Sequence, residues 1–248
     1  MFRLLCITAH PDDEAGGFGG TLLHYADRGV ETHVICLTPG QAGSHRGAAK
    51  SSEELAALRR VEFAASCKIL KVSHGHVLDY EDAGLYRADF FAVVGDLAQR
   101  VRTIRPHVMI TMGTEGAITA HPDHSMASLF ATMAFHWAGR KSLFPEQLAA
   151  GVKPHRTQKL YYGTAEFTMK EREPVSLAPI SVALDISPYL DAKLAAFKAH
   201  VTQSPLFPIF ERNMLRLSGK ERFHLAAAIS PRLAQQEKDL FEGVTEQV

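Results

Sequence analysis

Leu4-Leu5-Cys6-Ile7-Thr8-Ala9-His10-Pro11-Asp12-Asp13-Glu14 is the stretch from which this chain is best read. Leu4–Thr8 is a short, continuous apolar run, the pattern of a strand buried on both faces. It leads straight into His-Pro-Asp-Asp-Glu, where an imidazole and carboxylates share one turn of backbone stiffened by proline. The stem returns at His121-Pro122-Asp123-His124, after a second apolar run at Val108–Met112 and a glycine-bearing loop.

Working outward, strand and helix signals alternate. Thr21–Asp27 is expected to be helical, with Gly29 as its stop, and Thr32–Leu37 is a β-branched run closed by Pro39-Gly40. Ser51 or Ser52 caps a helix reaching about Leu70, with Glu53 and Glu54 well placed in its first turn. Val72–Leu78 is a weaker strand, Ala88–Ile104 an amphipathic helix stopped by Pro106, and Ser125–Trp137 helical again. This alternation predicts an α/β fold, a Rossmann-like, mostly parallel sheet with helices on both faces. Ligands bind such sheets beyond the carboxyl ends of the strands, where both His-Pro-Asp segments fall.

The remainder is less regular. Leu160–Ala165 and Ile180–Leu184 read as strands, and Ser187-Pro188 opens a helix running toward His200. Pro205 and Pro208 are expected to break the chain, and Arg222–Ile229 and Arg232–Phe241 to be closing helices. The expectation is one domain over 1–248: an α/β core at 1–138 and an appended C-terminal helix/strand portion at 139–248.

Composition narrows the function classes. With 27 basic against 27 acidic residues and no long run of either sign, no nucleic-acid surface is expected. No stretch approaches the ~20 apolar residues that span a bilayer, and the N-terminal apolar run is too short for a signal peptide. Cys6, Cys36 and Cys67, an odd number without paired spacing, read as reduced, buried thiols of a cytoplasmic protein.

A catalytic zinc takes three protein ligands and leaves one position for water. His10 and Asp13 are close enough to share an ion, and His124, from the tip of a neighbouring strand, completes the set. An ion there lowers the pKa of water, leaving Asp12 free as general base. His121 is left to stabilise an oxyanion or to pass a proton to a leaving amine. Asp12 also admits a second reading, as a helix cap. Glu14 reads as a supporting residue.

Together these residues resemble the LmbE-like or PIG-L deacetylases: Ala9-His10-Pro11-Asp12-Asp13-Glu14 after the first strand, then His121-Pro122-Asp123-His124. Gly19-Gly20-Thr21-Leu22, Leu37-Thr38-Pro39-Gly40, Arg59-Arg60-Val61-Glu62 and Lys193 to Gln203 are similar to outer signatures of that family. The resemblance implies a zinc-dependent hydrolase that removes the N-acetyl group from a GlcNAc-containing small molecule. It implies His10, Asp13 and His124 as zinc ligands, Asp12 as base and His121 as stabiliser of the tetrahedral intermediate. It further implies that Asp123 orients His121, and that Arg59, otherwise an ion-pair partner for Glu62, reaches the sugar-conjugate side of the pocket. By analogy such chains assemble into homo-oligomers, and another divalent ion can replace zinc.

Two departures bear on substrate: Thr202 stands where serine is usual, and Gly113 to Ala120 replaces a glycine-aromatic-glycine approach. The alternatives carried forward are an amidase for another N-acyl substrate and a non-catalytic metal-binding module. Gly16-Gly17-Phe18-Gly19-Gly20 lacks dinucleotide-loop spacing and is read as letting backbone pass close to the metal loop. His74 and His76 could bind metal from a strand, but a solvated loop or substrate rim is the preferred reading.

Overall fold

The computed structural model describes residues 1–169, 174–230 and 236–246. The chain runs β1 (Arg3–Thr8), α1 (Asp13–Ala26), β2 (Glu31–Cys36), α2 (Ser52–Ile69), β3 (His74–Val77), α3 (Phe90–Ile104), β4 (Val108–Thr111) and α4 (Pro122–Trp137). It continues through α5 (Pro145–Ala149), β5 (Lys159–Thr164), β6 (Val182–Asp185), α6 (Leu190–Lys198), α7 (Phe207–Arg216) and β7 (Lys220–Ala228). The sheet order is β3-β2-β1-β4-β5-β7-β6. Strands β1 to β5 pair in parallel, while β7 lies antiparallel to both β5 and β6. The expected α/β class therefore holds.

From β1 the chain steps outward through β2 to β3, then returns to the other side of β1 as β4. This reversal is a topological switch point, where adjacent crossovers leave on opposite faces and open a crevice at the strands' carboxyl ends. Strand β1 lies at the centre, with Leu4, Leu5, Cys6 and Ile7 fully buried. Burying each of the leucines and the isoleucine contributes about 1.5–3 kcal/mol. Ser51 caps α2, its side chain accepting from Glu54 N at 3.2 Å, and Asp89 caps α3 in the same way at 2.8 Å from Ala92 N. Among the described residues no helix is long and apolar enough to cross a membrane.

Several expectations are corrected. Helix α1 begins at Asp13, so Gly16 to Gly20 lie inside a helix and not in a loop. A glycine inside a helix costs about 0.5–1 kcal/mol relative to alanine. The bare backbone here serves close packing: a Cβ on Gly20 would lie 2.6 Å from Ile186 Cβ. Helix α4 begins at Pro122, within the second motif, because proline suits the first helical position. Pro208 is the second residue of α7, where its missing N–H would have no intrahelical partner anyway, and Pro205 lies inside a 3-10 turn, so neither breaks the chain. Arg222–Ile229 is not a helix: its alanines belong to β7, where ladder bonds to β5 override helix propensity and β6 joins only at the strand's start. Of the expected Arg232–Phe241 helix, residues 232–235 lie outside the described residues and 236–241 are irregular chain ending in bends and a turn.

The C-terminal portion extends this one sheet and braces α1. Lys193 of α6 and Glu221 of β7 form a buried pair at 2.5 Å. Glu221 accepts from the N–H groups of Gly20 and Thr21 at 3.0 and 2.7 Å, and Lys193 donates to Gly16 O at 2.8 Å. Removing the lysine strands a buried carboxylate, so Lys193→Ala should lower unfolding stability by about 3–5 kcal/mol. Urea denaturation checks this, and a loss below about 1 kcal/mol would show the pair to be dispensable.

Candidate metal centre

The loops after β1 and β4 meet although His10 and Asp123 are 113 residues apart in sequence. The second oxygen of Asp13 accepts from His10 N at 2.8 Å, tying the carboxylate to its own turn. Its two oxygens then lie 3.6 Å from His10 Nδ1 and 3.2 Å from His124 Nε2. The first distance is too long for a hydrogen bond. Both approximate the separation of about 3.3 Å between ligand atoms on a tetrahedral ion with bonds near 2.0 Å. One ring nitrogen from each of His10, His121 and His124 also lies within 4.8 Å of the others.

The outer nitrogens of the two rings are held from behind. His10 Nε2 meets Asp82 Oδ1 at 3.0 Å and Asp123 Oδ2 at 3.3 Å. His124 Nδ1 lies 3.3 Å from Gly116 O and 3.1 Å from Thr119 Oγ1. Such backing fixes the tautomer that leaves His10 Nδ1 and His124 Nε2 free for a cation. Burial disfavours a charged His10, yet Asp123, Asp13 and Asp82 together hold its pKa well above the usual range. Burial likewise opposes ionised Asp13, but His124 and His10 keep it well below the ordinary carboxylate value. A pocket with this much carboxylate around neutralisable imidazoles suits a divalent cation, and two imidazoles with a carboxylate suit zinc's borderline chemistry.

Asp12 has φ 115°, a conformation that side chains rarely adopt, and such strain costs of order 1–3 kcal/mol. It occupies the N-cap of α1 but makes no side-chain cap bond, so the helix-cap reading fails. Its Oδ2 instead accepts from Arg59 at 2.9 Å. Burial pushes its pKa up to about 6, against the opposing charge of Arg59. Its N–H donates to Glu14 Oε2 at 3.0 Å. The other oxygen of Glu14 meets Ser66 Oγ at 2.6 Å and His200 Nε2 at 2.7 Å, all three side chains being fully buried.

Arg59 itself is buried, donating also to Pro11 O and to Gly40 O. Glu62 turns away from it to bind Thr202 N and Oγ1, each at 2.7 Å. The ion pair with Glu62 is therefore absent, and the guanidinium faces the Asp12 turn. Asp123 also departs from expectation. Its carboxylate reaches His10, Ala83 N and Leu85 N, whereas His121 is held by the Asp123 backbone N–H, 3.2 Å from Nδ1. Accepting at Nδ1 leaves the proton on Nε2, and burial with the neighbouring His10 and His124 lowers the pKa of His121. Both features favour the neutral ring of His121, with its proton on Nε2.

Sequence reasoning missed Asp82, although it follows β3 at the same carboxyl edge as the two motifs and the same rule would have found it. It read Glu14 as a supporting residue, but only the fold brings Ser66 and His200 to it.

The sequence pattern of the PIG-L family, described as GlcNAc-PI de-N-acetylase, matches residues 5–135. A 1D-myo-inositol 2-acetamido-2-deoxy-alpha-D-glucopyranoside deacetylase of Catenulispora acidiphila is 32% identical, with 97% of each chain covered. The diacetylchitobiose deacetylase of Thermococcus kodakarensis is 31% identical over 82% of this chain and 70% of its own. Among solved structures, the conserved protein TT1542 from Thermus thermophilus superposes with a TM-score of 0.71 at 27% identity, covering 94% of this chain and 98% of that one. Because the pattern spans both histidine loops and the sheet between them, this chain belongs to the PIG-L de-N-acetylase family.

Proposed function

We propose that this protein is a metal-dependent amidohydrolase that removes the N-acetyl group from a GlcNAc-containing small-molecule conjugate. The observation that carries the reading is the pairing of two inward-facing imidazoles on Asp13 with a second carboxylate, Asp12, left outside that set. A purely structural metal site has no use for a spare base. The deacetylases to which the chain is similar act on inositol-linked and chitobiose-type N-acetylglucosamine, and this supports a sugar amide as substrate.

His10, Asp13 and His124 would hold one zinc ion per chain. When bound, the ion supplies Lewis acidity toward water and the amide carbonyl. Asp12, with Oδ2 on Arg59, keeps Oδ1 to take the proton of the attacking water. As the C–O bond forms, the carbonyl oxygen gains charge and His121 donates to it from Nε2–H. The proton held by Asp12 passes to the amine nitrogen as the C–N bond breaks, releasing acetate and the free amino sugar. Asp123 and Asp82 act through His10 by fixing its ring. Arg59 holds Asp12; a contact of Arg59 with the sugar rests on family resemblance alone. The free, buried state of the three thiols supports a reducing compartment such as the cytoplasm.

The reading is tested by acetate release from N-acetylglucosamine conjugates, with chelator-stripped and zinc-reloaded protein. Release should vanish on stripping and return with zinc; zinc-independent release would overturn the metal role. Asp12→Asn should retain zinc and lose about 10²–10⁴ in kcat. Near-normal turnover in that variant would remove Asp12 as base. His121→Ala should cost about 10²–10³ in kcat with KM little changed. A change confined to KM would make His121 a binding residue instead.

A further inference from the structure

The amino ends of β2 and β3, opposite the catalytic loops, carry a second group of metal-ligating side chains. His33 and His74 are cross-strand partners in the parallel ladder, and their rings stack with centroids 4.7 Å apart at 23°. Glu31 lies two residues before His33 and so projects from the same face of β2. Its Oε1 is 3.0 Å from His33 Nε2 and 3.5 Å from His74 Nε2. One ligand atom from each of the three residues lies within 4.8 Å of the others. The strand reading replaces the expected loop or substrate rim for His74, since β3 begins at this residue.

We propose that Glu31, His33 and His74 form a second, non-catalytic site for a divalent transition metal, zinc being the simplest occupant. Two imidazoles and one carboxylate are a donor set that zinc accepts, and the contacts of 3.0 and 3.5 Å bracket the spacing of about 3.3 Å between ligands of one tetrahedral ion. The carboxylate is already divided between two tasks. Arg3 Nε binds Oε2 at 3.2 Å and orients the group from behind, leaving Oε1 for the metal. The site is also reachable, for the His74 side chain is 54% exposed while that of His33 is 8% exposed. A fourth position therefore opens to water at the surface.

The two metal positions are independent. Strand β2 separates Glu31 from Cys36 by five residue steps, roughly 16 Å, and the catalytic loops lie beyond its far end. An ion at Glu31, His33 and His74 would join the edge strand β3, four residues long, to its neighbour β2. It would bind the folded sheet and not the unfolded chain, so it would stabilise the sheet's edge by mass action.

The test uses full-length protein stripped by chelator, equilibrated with zinc, and measured for bound metal and Tm. Wild type should hold two equivalents, and His74→Ala or Glu31→Gln one, with part of the zinc-induced rise in Tm lost. The double variant His10→Ala/His124→Ala should lose the other equivalent and keep the one held by His74. His74→Cys restores a zinc ligand at a half-exposed position and should regain the second equivalent, which separates ligand loss from misfolding. A zinc content and Tm rise in His74→Ala equal to wild type would overturn the proposal. So would a wild-type protein whose whole zinc content disappears in the double variant.

Discussion

Parallel pairing of β1 with β4, in register from Leu4 with Val108 to Ile7 with Thr111, is the constraint on which the site depends. The hydrogen-bond ladder sets both strands to end at the same level. The two His-Pro-Asp turns then emerge beside each other, one leading into α1 and the other into α4. Their imidazoles and carboxylates meet because the strands do, and the apolar residues of β1 are what hold that ladder in the centre of the sheet. A slip of this register would part His124 from Asp13 and turn each side chain to the other face.

Within that frame, electrostatics organises the loops. Asp12, Asp13, Asp82 and Asp123 gather around His10, and so much negative charge in a poorly solvated crevice is unfavourable unless a cation or proton answers it. Arg59 answers for Asp12, and the imidazoles answer for the rest. The positive φ of Asp12 is maintained from behind by Glu14, which is itself held by Ser66 and His200. Asp12, the proposed base, is thus set by a chain of buried polar contacts from α1, α2 and the turn after α6. A site placed this firmly lowers the reorganisation needed at the moment of reaction.

The late part of the chain contributes in the same manner. Strands β5, β7 and β6 lengthen the sheet beyond β4, while Lys193 and Glu221 secure the glycine-rich middle of α1. That helix carries Asp13 and Glu14 in its first turn, so bracing α1 also fixes a proposed ligand and the support of Asp12.

Local patterns in the sequence were enough to determine the α/β class and the parallel strands β1 to β4, and to single out the candidate residues of the site. Apolar runs are stronger than local propensity there, and proline and caps mark boundaries within a few positions. Segments whose structure is decided by distant partners were not legible. Gly16 to Gly20 are helical because Ile186, Lys193 and Glu221 pack against or bond to them, and Arg222 to Ala228 form a strand because β5 and β6 flank it. The same holds for roles inside the site. The residues themselves pointed to His10, Asp12, Asp13, His121 and His124, since each lies in a short motif with its own chemistry, while Asp123 entered through the family resemblance. Only the tertiary structure decided that Asp82 and Asp123 back His10, that Arg59 faces Asp12, and that Glu14 joins His200, because hydrogen bonds between side chains far apart in sequence exist only once the sheet has brought their strands together.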